Sequence, residues 1–157
     1  MKLTIKNLVI AIFDGLAVFI VLPFAAVWLN DYLGLPRFDL IVIKLLGFLL
    51  IVGGISLVIY CYSLFPKLGA GTPAPMQPAQ KLISAKIYQY SRNPIYVGYL
   101  AILLGEVFLL GRSLLLVYWL AILLFLNYYM RVVEEPKLKQ RFGKKYLQYF
   151  KQVPRWF

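Results

Sequence analysis

No histidine occurs among the 157 residues, and Cys61 is the lone cysteine. One cysteine forms no internal disulfide, and without histidine or a second thiol the chain lacks the usual ligands of a zinc site, so no metal is expected. The side chain most often used as a general base near neutral pH is missing too. Proton transfer therefore falls to a carboxylate, a tyrosine, a lysine or water. Carboxylates are themselves scarce, with 6 Asp and Glu against 17 Lys and Arg.

What is abundant is apolar. Hydrophobic residues make up 62% of the chain, against about 45–50% in soluble domains. The excess is gathered in long runs, which points to an integral membrane protein. The opening "MKLTIKNLVIAIF" places two lysines before an apolar stretch, as a signal peptide does. The run continues to Leu29, too long for a signal core, and no small-residue cleavage site follows, so a retained span is expected.

A bilayer core of about 30 Å takes roughly 20 apolar residues in a helix. Segments 8–29 and 40–62 meet that length. Segments 94–110 and 113–130 are shorter and separated only by Gly111 and Arg112, as in a tight antiparallel hairpin crossing a thin or deformed bilayer. The expected fold is an all-α integral membrane protein in a single domain over 1–157. It has four transmembrane helices, the last two a tight hairpin, and a cytoplasmic amphipathic C-terminal helix. Lys67, Lys81, Lys86 and Arg92 crowd the 63–92 connection without an acid, whereas the 30–39 connection carries Asp31, Arg37 and Asp39. The tail holds Arg131, Lys137, Lys139, Arg141, Lys144, Lys145, Lys151 and Arg155 against Glu134 and Glu135. The positive-inside rule then puts both termini and the 63–92 connection in the cytoplasm. In the tail, Leu138, Phe142, Tyr146, Tyr149 and Phe150 recur at helical spacing with basic residues on the other faces. This predicts one amphipathic helix lying on anionic lipid. No nucleic-acid partner is expected.

Charges within spans are costly and suggest function by default. Lys44 lies near a span end and can snorkel to the outer interface. Glu106 is within reach of Arg112 or Lys44, and an ion pair is expected there. Asp14, near the cytoplasmic end of the first span, is a candidate substrate contact. The connection "FPKLGAGTPAPMQPAQ" (65–80) has four prolines and a Gly-x-Gly at Gly69 and Gly71. It reads equally as a stiff connector or as backbone that approaches a ligand closely. Glu134 and Glu135 interrupt the basic tail. They suit the start of a helix with Pro136 in its first turn, or the recognition of a cation or of ligand hydroxyls and amines. In "YSRNPIYVG" (90–98), Asn93 and Pro94 make a helix start. Arg92, Tyr96 and Gly98 are not needed for that, although Tyr96 suits an interfacial belt and Gly98 close helix packing.

Taken in order, Gly-x-Gly-Thr-Pro-x-Pro, "RNPIYVG", a tight apolar hairpin, Glu-Glu, "FGKKYLQY" and "VPR" resemble the integral membrane methyltransferases. These include the isoprenylcysteine carboxyl methyltransferases and the phospholipid (phosphatidylethanolamine) N-methyltransferases. The resemblance covers about residues 65–157 and is nearest to the prokaryotic branch. It implies S-adenosylmethionine as methyl donor, bound at the cytoplasmic ends of the last two spans. Cofactor contacts would come from Asn93, Pro94, Tyr96, Gly98, Glu134 and Glu135, with Gly69 and Gly71 in the connection (65–93) and Tyr146 and Tyr149 in a lid formed by the tail (134–157). Arg92 matches the arginine that lies near the reacting centre in the carboxyl methyltransferases. Asn93 stands where many members carry histidine. Gln152 stands where the eukaryotic prenylcysteine enzymes carry a basic residue, for which Arg155 is the substitute.

Methyl transfer from a sulfonium is an in-line displacement, so the protein supplies alignment and excludes water. An acceptor carboxylate is already anionic and needs a cation to hold it, which a guanidinium does with a planar fork. An amine acceptor must lose a proton, for which Glu134, Glu135 or Tyr96 is available. The expectation is transfer to a lipophilic carboxylate or other O-acceptor, a lipid or prenylated molecule entering from the bilayer. Catalytic roles then fall to Arg92 and Glu134, and substrate contacts to Arg92, Arg155 and Asp14. Phospholipid N-methylation is the alternative, and a non-enzymatic membrane assembly or transporter subunit is the alternative of another class.

Overall fold

The computed structural model describes residues 13–69 and 80–157. Among these residues there is no strand, and one isolated backbone bridge joins Arg37 and Arg112. The helices are α1 (Phe13–Tyr32), α2 (Ile41–Leu64), α3 (Pro94–Leu110), α4 (Ser113–Tyr129), α5 (Glu135–Phe142) and α6 (Lys144–Gln152). Three apolar stretches are long enough to cross a membrane: α1, α2 continued to Leu68, and α4 continued through α5 to Phe142. Helix α3, with 17 residues, reaches about 25 Å at 1.5 Å per residue. All four apolar segments expected from the sequence are thus helical, and three have spanning length. The expected start of the first, at residue 8, lies outside the described residues. Only 11% of an apolar 18-residue window in each long stretch is buried, with Phe24, Trp28, Leu49, Ile59, Leu124 and Phe125 open. Apolar surface on that scale requires a hydrocarbon surround.

Each long helix contains a π turn beside a proline. Ala17–Val21 precedes Pro23, Phe65–Gly69 contains Pro66, and Met130–Glu134 precedes Pro136. Proline has no N–H and crowds the carbonyl four residues back. The turn ahead of the proline widens to i-to-i−5 bonding, with Leu22 N–H on Ala17 O and Glu135 N–H on Met130 O. This changes the expected tail. Glu134 does not cap a separate helix, because the chain passes from α4 into α5 without leaving helical backbone angles. The break comes later, at Gly143, whose φ of 52° and ψ of −129° suit only glycine. The single amphipathic tail helix expected from the sequence is therefore two helices, α5 and α6.

The chain divides into two compact units, Met1–Gly53 with Leu100–Ile122 and Gly54–Tyr99 with Leu123–Phe157. In the first, a Cβ on Gly105 would lie 2.6 Å from Gly47 O, and one on Gly47 would lie 2.7 Å from Gly105 O. Those glycines let α2 and α3 touch backbone to backbone. Buried Asn30 donates to Leu35 O and accepts from Ser113 Oγ and Leu114 N, which caps the start of α4. Arg112 grips Asp31 with Nε to Oδ1 at 2.8 Å and Nη2 to Oδ2 at 3.2 Å. Arg37 joins the same carboxylate. Lys44 pairs with Asp39. Neither cation is left for Glu106, so the expected ion pair does not form, and Glu106 Oε2 is buried with no hydrogen-bond partner among the described residues.

Candidate functional site

The second unit holds the motif-bearing residues. Ile83, Tyr88, Leu64 and Phe65 pack into an apolar cluster with Ile87 and Ile95 against it. This seats a single 3₁₀ turn, Lys86–Gln89, ahead of α3. A second cluster, Tyr146, Tyr149 and Val153 with Leu82, Leu138, Phe142 and Phe150, seats α6 by its apolar stripe. The C-terminal segment is then fastened onto residues 88–93 by hydrogen bonds. Tyr149 Oη donates to Tyr88 O at 2.7 Å, and Arg92 N–H to Pro154 O at 3.0 Å. Ser91 Oγ and Asn93 Nδ2 both donate to Arg155 O, at 3.2 and 3.0 Å.

Beneath this latch lies a buried charge cluster. Glu135, 6% exposed, receives Arg155 through Nε to Oε1 at 2.8 Å and Nη2 to Oε2 at 3.1 Å. Arg92 Nη1 lies 3.3 Å from the same Oε1, and its guanidinium stacks 4.0 Å above the Phe150 ring. Arg155 Nη1 also donates to Asn127 Oδ1. Two guanidiniums on one carboxylate leave a local excess of positive charge. Arg92 Nε and Nη1, both buried, have no hydrogen-bond partner among the described residues, a costly state for a charged donor. The Glu135 carboxylate raises Arg155 above its usual value. Burial raises the Tyr149 phenol, and it raises Tyr146 against the opposing pull of Arg92. These three groups therefore stay protonated around neutral pH.

The other carboxylate of the pair turns elsewhere. Glu134 Oε2 accepts from Tyr96 Oη at 2.9 Å, and the Tyr96 ring tilts against Tyr99 with centroids 6.2 Å apart. Tyr99 Oη in turn shares a 3.2 Å hydrogen bond with Tyr62 Oη. Adjacent residues of a helix point about 100° apart, which is why neighbouring glutamates serve different partners.

A family model described as phospholipid methyltransferase matches residues 42–145, from the start of α2 into α6 and across both carboxylates. The chain belongs to the phospholipid methyltransferase family. Comparison with curated proteins gives no match, and comparison with solved structures gives none. Family membership and the spanning helices together make the protein an integral membrane methyltransferase.

Within this methyltransferase, Arg92, Asn93, Pro94, Tyr96, Gly98, Glu134, Glu135, Tyr146, Tyr149 and Arg155 all fall in one compact unit. Their engagements differ. Asn93, Glu135, Tyr149 and Arg155 are occupied in holding the C-terminal segment, and Pro94 is fully buried. Gly98 is a packing position, since a Cβ there would lie 2.6 Å from Val58 Cγ2 and 3.0 Å from Gly54 O. Glu134 is engaged by Tyr96 alone among the hydrogen bonds described, and Arg92 Nε has no hydrogen-bond partner among the described residues. Gly69 ends a π turn, and Gly71 lies outside the described residues. Asp14 is exposed on α1 and belongs to the other unit. The sequence reading passed over Tyr88 and Ser91 and took Phe150 only as part of an apolar stripe, because only their partners distinguish them from ordinary loop and helix residues. It also passed over a cleft of about 880 Å³ lined by Gln80, Lys81, Gln89, Lys145, Gln148 and Gln152 among others, with no acidic residue in its wall.

Proposed function

We propose that the protein transfers a methyl group from S-adenosylmethionine to a lipophilic acceptor whose reacting group is a carboxylate or other anionic oxygen. The observation that carries this reading is Arg92, a buried guanidinium whose Nε has no hydrogen-bond partner among the described residues and whose Nη1 is held only by the 3.3 Å ion pair with Glu135. An anionic oxygen supplies the missing acceptor. The stack on Phe150 and the pair with Glu135 fix the guanidinium plane, so the acceptor would be held in one orientation.

The residues present fit the proposed donor. It brings hydroxyls, an ammonium and a carboxylate, and when bound supplies an electrophilic methyl on a sulfonium. Glu134, oriented by Tyr96, offers acceptor oxygens for the hydroxyls or the ammonium. The Tyr96 and Tyr99 faces offer aromatic surface to a cation. In the displacement, a C–O bond forms as the C–S bond breaks and the sulfur keeps the electron pair, so an anionic acceptor requires no base. The latched C-terminal segment limits water around Arg92.

The remaining arrangement follows from the same reading. Four spans cross the bilayer, with α3 and α4 as the tight hairpin. The termini and the 63–92 connection face the cytoplasm, and the basic faces of α5 and α6 rest on anionic lipid. The acceptor enters from the bilayer. A second reading is N-methylation of a phospholipid amine. The family's description and the Glu134–Tyr96 pair favour it, since a carboxylate there is placed to take a proton. Family membership stands against a non-enzymatic assembly or transporter role.

Calorimetry with S-adenosylmethionine tests the donor, and no binding in either detergent or lipid overturns the proposal. Incubation with labelled donor and a whole-membrane lipid extract, followed by mass spectrometry, separates the acceptors. A labelled ester supports the first reading and a labelled amine the second.

A further inference from the structure

Tyr88 is 7% exposed, and its hydroxyl is buried without a hydrogen-bond partner among the described residues. The ring is fixed in the cluster with Leu64, Phe65 and Ile83, meeting Phe65 edge-on at 6.3 Å and 76°. The backbone is fixed as well, because Tyr88 O accepts the Tyr149 hydroxyl. A phenylalanine would fill the same cluster without burying an unsatisfied hydroxyl, so packing gives no account of the oxygen. Burial raises this phenol, and the Glu134 carboxylate acts in the same direction. The hydroxyl is therefore a protonated donor within the field of Glu134. Four residues on, Arg92 presents a buried Nε with no hydrogen-bond partner among the described residues, its own backbone held by Pro154 O. One short segment, pinned from behind by the C-terminal latch, thus carries both of these donors.

We infer that the Tyr88 hydroxyl is a binding contact for the methyl donor, giving a hydrogen bond to one of its carboxylate or ribose oxygens. This rests on the methyltransferase reading above. Tyr88 is a positioning residue that orders the donor before transfer and takes no part in the bond changes.

The test is Tyr88→Phe in the full chain, probed with S-adenosylhomocysteine by calorimetry and by thermal unfolding in detergent. The expected result is affinity about 10-fold weaker, with the ligand-free unfolding midpoint unchanged or raised. Tyr90→Phe, at an exposed neighbour (66% exposed), leaves both quantities unchanged. Affinity within twofold of wild type overturns the inference. A clear fall in the ligand-free midpoint also overturns it, because the hydroxyl would then have a partner in the free protein. Failure of the wild type to bind S-adenosylhomocysteine is a different result, which overturns the methyltransferase reading and this inference with it.

Discussion

Arg155 and Glu135, twenty residues apart, meet in a two-pronged ion pair with Nε to Oε1 at 2.8 Å and Nη2 to Oε2 at 3.1 Å. The pair closes the loop made by α5 and α6 and brings the C-terminal carbonyls onto residues 91–93. Glu135 is thereby a structural anchor for the tail, whereas Glu134 accepts the Tyr96 hydroxyl.

Arg155→Ala removes one of the two cations from a buried carboxylate. Losing a partner of such a pair costs about 3 kcal/mol, and here the loss falls on the tail first. Limited trypsin digestion should cut at Lys144, Lys145 and Lys151 much faster than in the wild type. Arg155→Lys restores only part of the protection, since an ammonium lacks the guanidinium fork. Wild-type digestion kinetics for the alanine variant would show that the pair does not hold the tail.

Tyr149→Phe deletes the hydrogen bond to Tyr88 O and leaves that carbonyl unpaired, a loss of about 1 kcal/mol. The expected signature is faster amide exchange in 144–153 with the spanning helices unchanged. Exchange that rises equally in α2 and α3 would instead assign Tyr149 to global stability.

Gly105→Ala places a methyl 2.6 Å from Gly47 O and from Ile51 Cγ1. The helices must separate, at roughly 1–3 kcal/mol, so the unfolding midpoint in detergent falls. Gly53→Ala is the control. Nothing lies within 4 Å of its added methyl, and alanine is the better helix former, so its midpoint holds or rises.

Arg92→Lys separates anchoring from acceptor alignment. The charge stays near Glu135, while the planar fork and the stack on Phe150 are lost. Turnover of the labelled lipid product should drop about 100-fold, with S-adenosylhomocysteine affinity changed less than threefold. Equal losses in both would place Arg92 on the donor.

Much of the helical plan was legible, because long apolar runs and a Gly-Arg interruption admit few other structures. The start of α3 at Pro94 could be read from proline's fixed φ and missing N–H. The chemistry at Arg92 was legible only as a resemblance, since one sequence does not say which partner a charge finds. Glu134 and Glu135 are identical letters, and the helix alone turns one toward Tyr96 and the other toward Arg92 and Arg155. The ion pair expected for Glu106 fails because Asp31 and Asp39 compete for the same cations from the adjoining turn. The tail broke at Gly143 although its stripe of apolar residues continues past it, because periodicity reports which face is buried and says little of backbone sign. Tyr88 had no signal of its own, being one tyrosine among twelve.

The π turn at Met130–Glu134 sets the azimuth of everything after it. The widened turn absorbs one residue, so every later residue sits about 100° behind its place on an uninterrupted α-helix. Relaxing that turn to α geometry at constant chain length would put Glu134 where Glu135 now meets Arg92 and Arg155. Deleting Val132 or Val133 along with the relaxation would remove the surplus residue and leave each glutamate on its present partner. The width of one turn, as much as residue identity, therefore decides which carboxylate anchors the tail.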